Sequence, residues 1–133
     1  QIVFNLSNSV SALFHHELGR VSTQYFSDRL GTGGSQTVTG GVPDTNIHII
    51  EWIYDGTNLA MVEDGVTLIS QTFSEVADTP FDLAQIGAAN LLGESLWSNS
   101  YFGDIVLYNK ALQAGQRRAL RVFEAARWGI TLP

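Results

Sequence analysis

The sequence predicts an all-β fold, a two-sheet antiparallel sandwich with a short C-terminal helix. Three observations predict it. Two Asp-Gly pairs nine residues apart, Asp55-Gly56 and Asp64-Gly65, sit between apolar runs across Ile47 to Gln71. Asp-Gly supplies the left-handed backbone angles that short hairpins need, so this stretch reads as a three-stranded meander. Eight to ten short apolar runs separated by turn residues recur along the 133 residues. Near-helical spacing of apolar residues occurs only towards the C-terminus, about Gln113 to Trp128.

Composition agrees. A chain of 133 residues makes one domain able to bury roughly two thirds of its unfolded surface. Hydrophobic residues make up 44% and charged residues 15%, which is too apolar for disorder. Thirteen glycines and 11% aromatics favour strands and turns over a helical bundle. There are no cysteines, which excludes a disulfide scaffold, thiolate metal binding and cysteine catalysis. No apolar run is long enough to span a bilayer, so membrane insertion is not expected. Gln1 at the start, with no Met and no signal-like segment, reads as a processed, excised or truncated piece.

The net charge of −6 is unevenly spread. Residues 1–109 hold 12 acidic and 2 basic side chains, and residues 110–133 hold 5 basic and 1 acidic. An acidic body argues against nucleic acid, which wants a broad basic face. The basic C-terminal run reads more readily as a solvated helix face than as a nucleic-acid or membrane patch.

In order, Gln1 to Leu6 reads as a strand. Val10 to His16 and Arg20 to Phe26 read as two more around a turn at Leu18-Gly19. Asp28 to Ser35 reads as a loop whose glycines lack the spacing and following Lys of a phosphate cradle. Gln36 to Thr39 is a short strand. In the meander, Ile47, Ile49, Glu51, Ile53 and Asp55 share one face and His48, Ile50, Trp52 and Tyr54 the other. Both faces are largely apolar, so this strand reads as an inner one with Glu51 at the margin of the core. Phe73 to Phe81 is an acidic loop, Leu83 to Gly87 a strand, and Ala88 to Ser100 a polar loop around Trp97. Tyr101 to Tyr108 is the last strand. The helix that follows places Leu112, Ala119, Leu120, Phe123, Ala126 and Ile130 on one stripe, with Arg117, Arg118, Arg121 and Arg127 mostly off it and Gly129 as its stop.

Two runs carry a resemblance. I-I-E-W-I-Y-D-G-T-N-L-A-M-V-E-D-G (49–65) and Y-F-G-D-I-V-L-Y-N-K-A-L-Q-A-G-Q-R-R-A-L-R-V-F-E-A-A-R-W-G-I (101–130) are similar to the meander and closing signature of the laminin-G-like branch of the concanavalin A-like lectin/glucanase superfamily. The match covers about residues 47–72 and 101–130. The resemblance implies a single laminin-G-like jelly-roll domain over residues 1–133, shorter than such domains usually run. It further implies a platform that binds carbohydrate or protein, often with calcium, as found in bacterial surface proteins and bacteriophage virions. Its expected place is a virion, an extracellular site or a cell surface. A short sandwich exposes sheet edges, and a homo-oligomer is one way to cover them.

Catalysis finds little foothold. The glucanase branch pairs acids on alternate residues of one strand; here Glu51 and Asp55 lie four apart, roughly 13 Å along a strand, outside either hydrolase separation. Alginate-lyase jelly rolls offer a polysaccharide-active alternative. H-H-E-L-G-R (15–20), N-I-H (46–48) and Y-F-G-D-I-V-L-Y-N-K (101–110) occur in that family's order, but Gly103 and Lys110 stand where it has Lys and Gln. That reading requires His48, Arg20 and Tyr108 to converge. His15 and His16 point to opposite strand faces and cannot share a metal, and His48 lacks a partner at zinc spacing. Asp28, Glu63, Asp64, Glu75, Asp78 and Asp82 could supply calcium ligands from loops. For a glycan, Trp97 offers a plate for a sugar's C–H face, with Glu94, Asn99 and Tyr101 for its hydroxyls. Trp97 as a cap on the core is the alternative. Trp52 and Trp128 read as core. The expectation is a non-enzymatic binding, adhesion or structural module.

Overall fold

The computed structural model describes residues 2–7, 15–21, 23–31, 34–72, 83–86, 88–91, 94–97 and 101–133. Among these the elements run β1 (Ile2–Ser7), β2 (His15–Val21), β3 (Gln24–Gly31), β4 (Gly34–Gly40), β5 (Ile50–Tyr54), β6 (Asn58–Glu63), β7 (Val66–Thr72), β8 (Leu83–Ile86), β9 (Ala88–Leu91), β10 (Glu94–Trp97) and α1 (Ala114–Trp128). Every strand pair is antiparallel. The protein is therefore mostly β with one C-terminal helix, as its turn and apolar patterning predicts. It divides into two compact units, Gln1–Pro43 with Glu75–Asp104, and Asp44–Ser74 with Ile105–Pro133.

The first unit holds a five-stranded sheet in the order β4-β3-β2-β1-β8 and a two-stranded ladder of β9 and β10. Three sequence expectations are corrected here. Leu18-Gly19 is not a turn: both residues lie within β2, where Leu18 pairs with Ser27 and Gly19 with Phe26. Gly19 is buried, and a glycine inside a strand can serve close packing as well as a turn. Asp28 to Ser35 is not a loop either, since β3 runs through Gly31 and β4 starts at Gly34 with Gly31 opposite Gly34. This pairing leaves Asp28 in a strand. Likewise Ala88 to Trp97 forms a hairpin, Ala88 opposite Trp97 and Leu91 opposite Glu94. The predicted acidic loop Phe73 to Phe81 lies outside the described residues.

In the second unit the meander forms as its turns require, in the order β5-β6-β7. Gly56 and Gly65 have φ of 97° and 99°, and Asp64 itself adopts φ 50°. The second turn thus takes both central residues left-handed, which a two-residue Asp-Gly hairpin demands. The first is a longer loop, closed by the Asp55 N–H to Asn58 O bond at 3.2 Å. Asp55 Oδ1 accepts from the Thr57 and Asn58 amides at 2.9 and 2.7 Å, the local bonding that favours Asp at such a corner. The inner strand is β6, not β5. Leu59 and Met61 are fully buried and Val62 is 4% exposed, whereas all of β5, on the sheet edge, is half-buried. A bulge between Met61 and Val62 shifts the register against β7.

Residues 101–108 do not form a strand. They are exposed and belong to no strand ladder, although their composition is that of a strand. Strand propensity expresses a fit to a half-buried pleat, and composition alone does not supply the edge a strand must pair with. The helix forms where predicted. Gln113 precedes it, with its N–H donating to Gln116 Oε1 at 3.0 Å. Gly129 ends it at φ 70°, and the Ile130 N–H donates to Ala125 O at 2.9 Å, the bond of a left-handed C-terminal stop.

Candidate functional site

The predicted helix stripe holds only in part: Leu112, Leu120 and Ile130 are half-buried. Ala119, Phe123 and Ala126 are exposed, Phe123 by 61% and its neighbour Val122 by 51%. The covered stripe is Arg117, Leu120, Arg121, Glu124 and Ala125, of which Ala125 is fully buried. The cause lies on β5. Glu51 accepts from Arg121 Nε at 2.6 Å, and Arg117 Nη1 lies 3.9 Å from its other oxygen. Residues 117 and 121 are one turn apart and share a face, so two guanidinium groups converge on one carboxylate. Arginine stems can cover apolar surface while their heads bond. The covered face of the helix is therefore mixed, Arg117 and Arg121 on Glu51 beside Leu120 and Ala125, and a second apolar group, Ala119, Val122, Phe123 and Ala126, faces out.

A second constellation closes the mouth of the meander. His48 Nδ1 lies 2.7 Å from Asp64 Oδ2, and His48 Nε2 lies 2.8 Å from Asp44 Oδ1. Only the imidazolium donates from both nitrogens, so this geometry holds the charged ring. Burial pulls the His48 pKa down, but the bonds to Asp64 and Asp44 and the nearby Glu63 charge raise it above its ordinary value overall. Asp44 is held below the usual carboxylate range, first by the Asn46 N–H and then by His48. Asp64 also accepts from the Ile49 N–H at 2.8 Å, while its own N–H donates to Ile49 O at 3.0 Å. One turn residue therefore clasps the chain entering β5.

The third feature is apolar surface. Tyr101 is fully exposed, and Val106, Leu107 and Tyr108 are at least half exposed. With the outward stripe of α1 they form two runs of large apolar side chains facing water. Trp128, expected in the core, is 39% exposed, with the Arg127 guanidinium 5.6 Å from its ring centroid.

The sequence-predicted glycan residues fare unevenly. Glu94 and Trp97 are both on β10. Tyr101 is exposed, and Asn99 lies outside the described residues. Of the acids considered for calcium, Asp28 is in β3, Asp64 clasps His48, and Glu75, Asp78 and Asp82 lie outside the described residues. Among the described residues no group of three or more His, Cys, Asp or Glu side chains is arranged to hold a metal ion. Glu51 and Asp55, weighed as an acid pair, are engaged separately by Arg121 and by turn amides. What sequence reading missed was legible only in part: Asp44 and His48 at i,i+4 hint at a pair, but Asp64 joins them from the far hairpin.

No protein-family model and no curated protein matches the chain. Among solved structures it is similar to an S-layer domain-containing protein from Clostridium thermocellum, with a TM-score of 0.39 and 14% identity. That similarity covers 91% of this chain and 62% of the other, so the chain spans less than two thirds of it. Among the described residues no helix is long and apolar enough to cross a membrane.

Proposed function

We propose that this chain is a non-catalytic contact module of laminin-G-like jelly-roll type, an adhesion or structural part working at a cell or virion surface. It would meet a glycan or a neighbouring protein. The observation that supports this most is the exposure of Tyr101, Val106, Leu107 and Tyr108 together with Val122 and Phe123. Runs of exposed large apolar side chains, here Val106 to Tyr108 and Val122-Phe123, mark surfaces that meet something else. The ionisable groups of the meander support the same reading. Glu51, Asp55 and His48 are all committed to bonds that hold the structure, and His48 would have to surrender a carboxylate before serving as a base.

A glycan array probed with the full chain, with and without calcium, tests the reading. Saturable binding lost on Tyr101→Ala or Tyr108→Ala is the expected outcome for a glycan contact. Turnover of alginate or a β-glucan by the same preparation would overturn the non-catalytic assignment.

A further inference from the structure

We propose that the outward stripe of α1, formed by Ala119, Val122, Phe123 and Ala126, is a self-association surface, and that its occupant is the acidic body of a second copy of this chain. The proposal rests on reading the exposed apolar residues as a contact surface, and names what they contact.

The spacing of these four residues, i, i+3, i+4 and i+7, is that of a helix face built for burial. In most soluble helices such a face looks inward. Here the inward place is taken by Arg117 and Arg121 on Glu51 with Leu120 and Ala125, so this outward face has no cover among the described residues of its own unit. The surroundings of the stripe say what would cover it. Arg118 is exposed beside the stripe and Lys110 before the helix, while Arg117 and Arg121 are taken up by Glu51; the formal count over residues 110–133 is 5 basic groups against 1 acidic. Residues 1–109 carry 12 acidic groups against 2 basic. The chain is thus complementary in charge to itself. Two copies attract when the helix of each meets the body of the other, and repel when two helices meet, because like-charged ends are then opposed. A two-fold arrangement in which each helix packs on its partner's body satisfies both stripes and closes without leading to a filament. A lipid surface is the weaker occupant, since the stripe has only two large apolar side chains and interfacial helices bury a broader face.

Sedimentation velocity on the full chain, run over a wide concentration range at low and high salt, tests this. The wild type is expected to form a dimer that weakens as salt rises. Phe123→Glu and Phe123→Ser should each weaken association by about tenfold or more, and Arg118→Glu by a smaller factor most evident at low salt. Position 123 is exposed, so far-UV circular dichroism of both variants should match the wild type. A dimer indifferent to all three substitutions would overturn the proposal. So would a wild type that stays monomeric but co-sediments with phosphatidylserine vesicles through Phe123. A monomer that still binds a glycan overturns the second copy and leaves the contact-module reading intact. A monomer that binds neither glycan nor vesicle removes both.

Discussion

His48 is the residue on which pH acts most directly. Its folded pKa lies above the ordinary 6.5, so the stability it contributes is fully present below about 6.5 and is lost as pH rises through the folded value. Losing one proton turns one of its two carboxylate contacts from a donated bond into opposed lone pairs. Asp44 and Asp55 work in the other direction. Their folded pKa values lie below the ordinary 3.8, so their contribution is present above that value and fades in stronger acid. The clasp is therefore strongest between the two ranges, in mildly acidic solution. Thermal melts should show the melting temperature falling from pH 6 to pH 8.5. Asp44 is half in water, which screens its share. His48→Gln should flatten that slope. An equal fall in the variant would assign the pH dependence elsewhere.

At the scale of elements, the helix and the meander are joined by Glu51, Arg121 and Gly65. The Arg121 guanidinium lies 2.8 Å from where a Cβ on residue 65 would stand, while nothing lies within 4 Å of the same position on Gly56. Both glycines have positive φ, so an alanine at either is strained by about 1 kcal/mol. Gly65→Ala must also push aside a guanidinium pinned to Glu51, and is expected to cost more than Gly56→Ala in urea denaturation. Equal costs would show that Arg121 yields freely. The ion pair itself is half-buried, with Glu51 16% and Arg121 17% exposed. Removing either partner strands the other, so Glu51→Ala and Arg121→Ala should each destabilise by about 2–3 kcal/mol. The double variant should lose clearly less than their sum.

These joints also show what a sequence can and cannot carry. The two Asp-Gly turns and the Gly129 stop are legible because their backbone angles are demanded locally. The face by which α1 docks is not. Its apolar residues lie on more than one side, and the choice is made by Glu51, seventy positions away. Tyr101 to Tyr108 fails for a related reason: a strand needs an edge to pair with, and composition supplies none. The candidate site was less legible than the fold, since Asp64 reaches His48 only once the hairpin has formed.

At the scale of the whole molecule, the chain leaves its first unit after Pro43, returns at Glu75 and leaves again after Asp104. The last of these passages falls inside the run 101–108, where the backbone has no ladder to protect it. Proteolysis requires a segment to fit extended into a protease cleft. Exposed backbone outside strand ladders does so with little local unfolding, whereas paired strands must first open. The run offers four side chains that chymotrypsin accepts, Tyr101, Phe102, Leu107 and Tyr108, all exposed. In the second unit's sheet Leu59 and Met61 are buried in paired strands, and the half-buried Trp52 and Tyr54 and the exposed Val66 are held in the same ladders. Brief chymotrypsin treatment of the native chain should therefore cut first between Tyr101 and Asn109. Mass spectrometry would then find a C-terminal fragment carrying α1. Because that fragment is tied to β5 by Arg121 and Arg117 on Glu51, it should remain associated with the rest under native conditions and separate on Glu51→Ala. A first cut within the β5–β6–β7 meander would contradict the order of protection that the ladders impose.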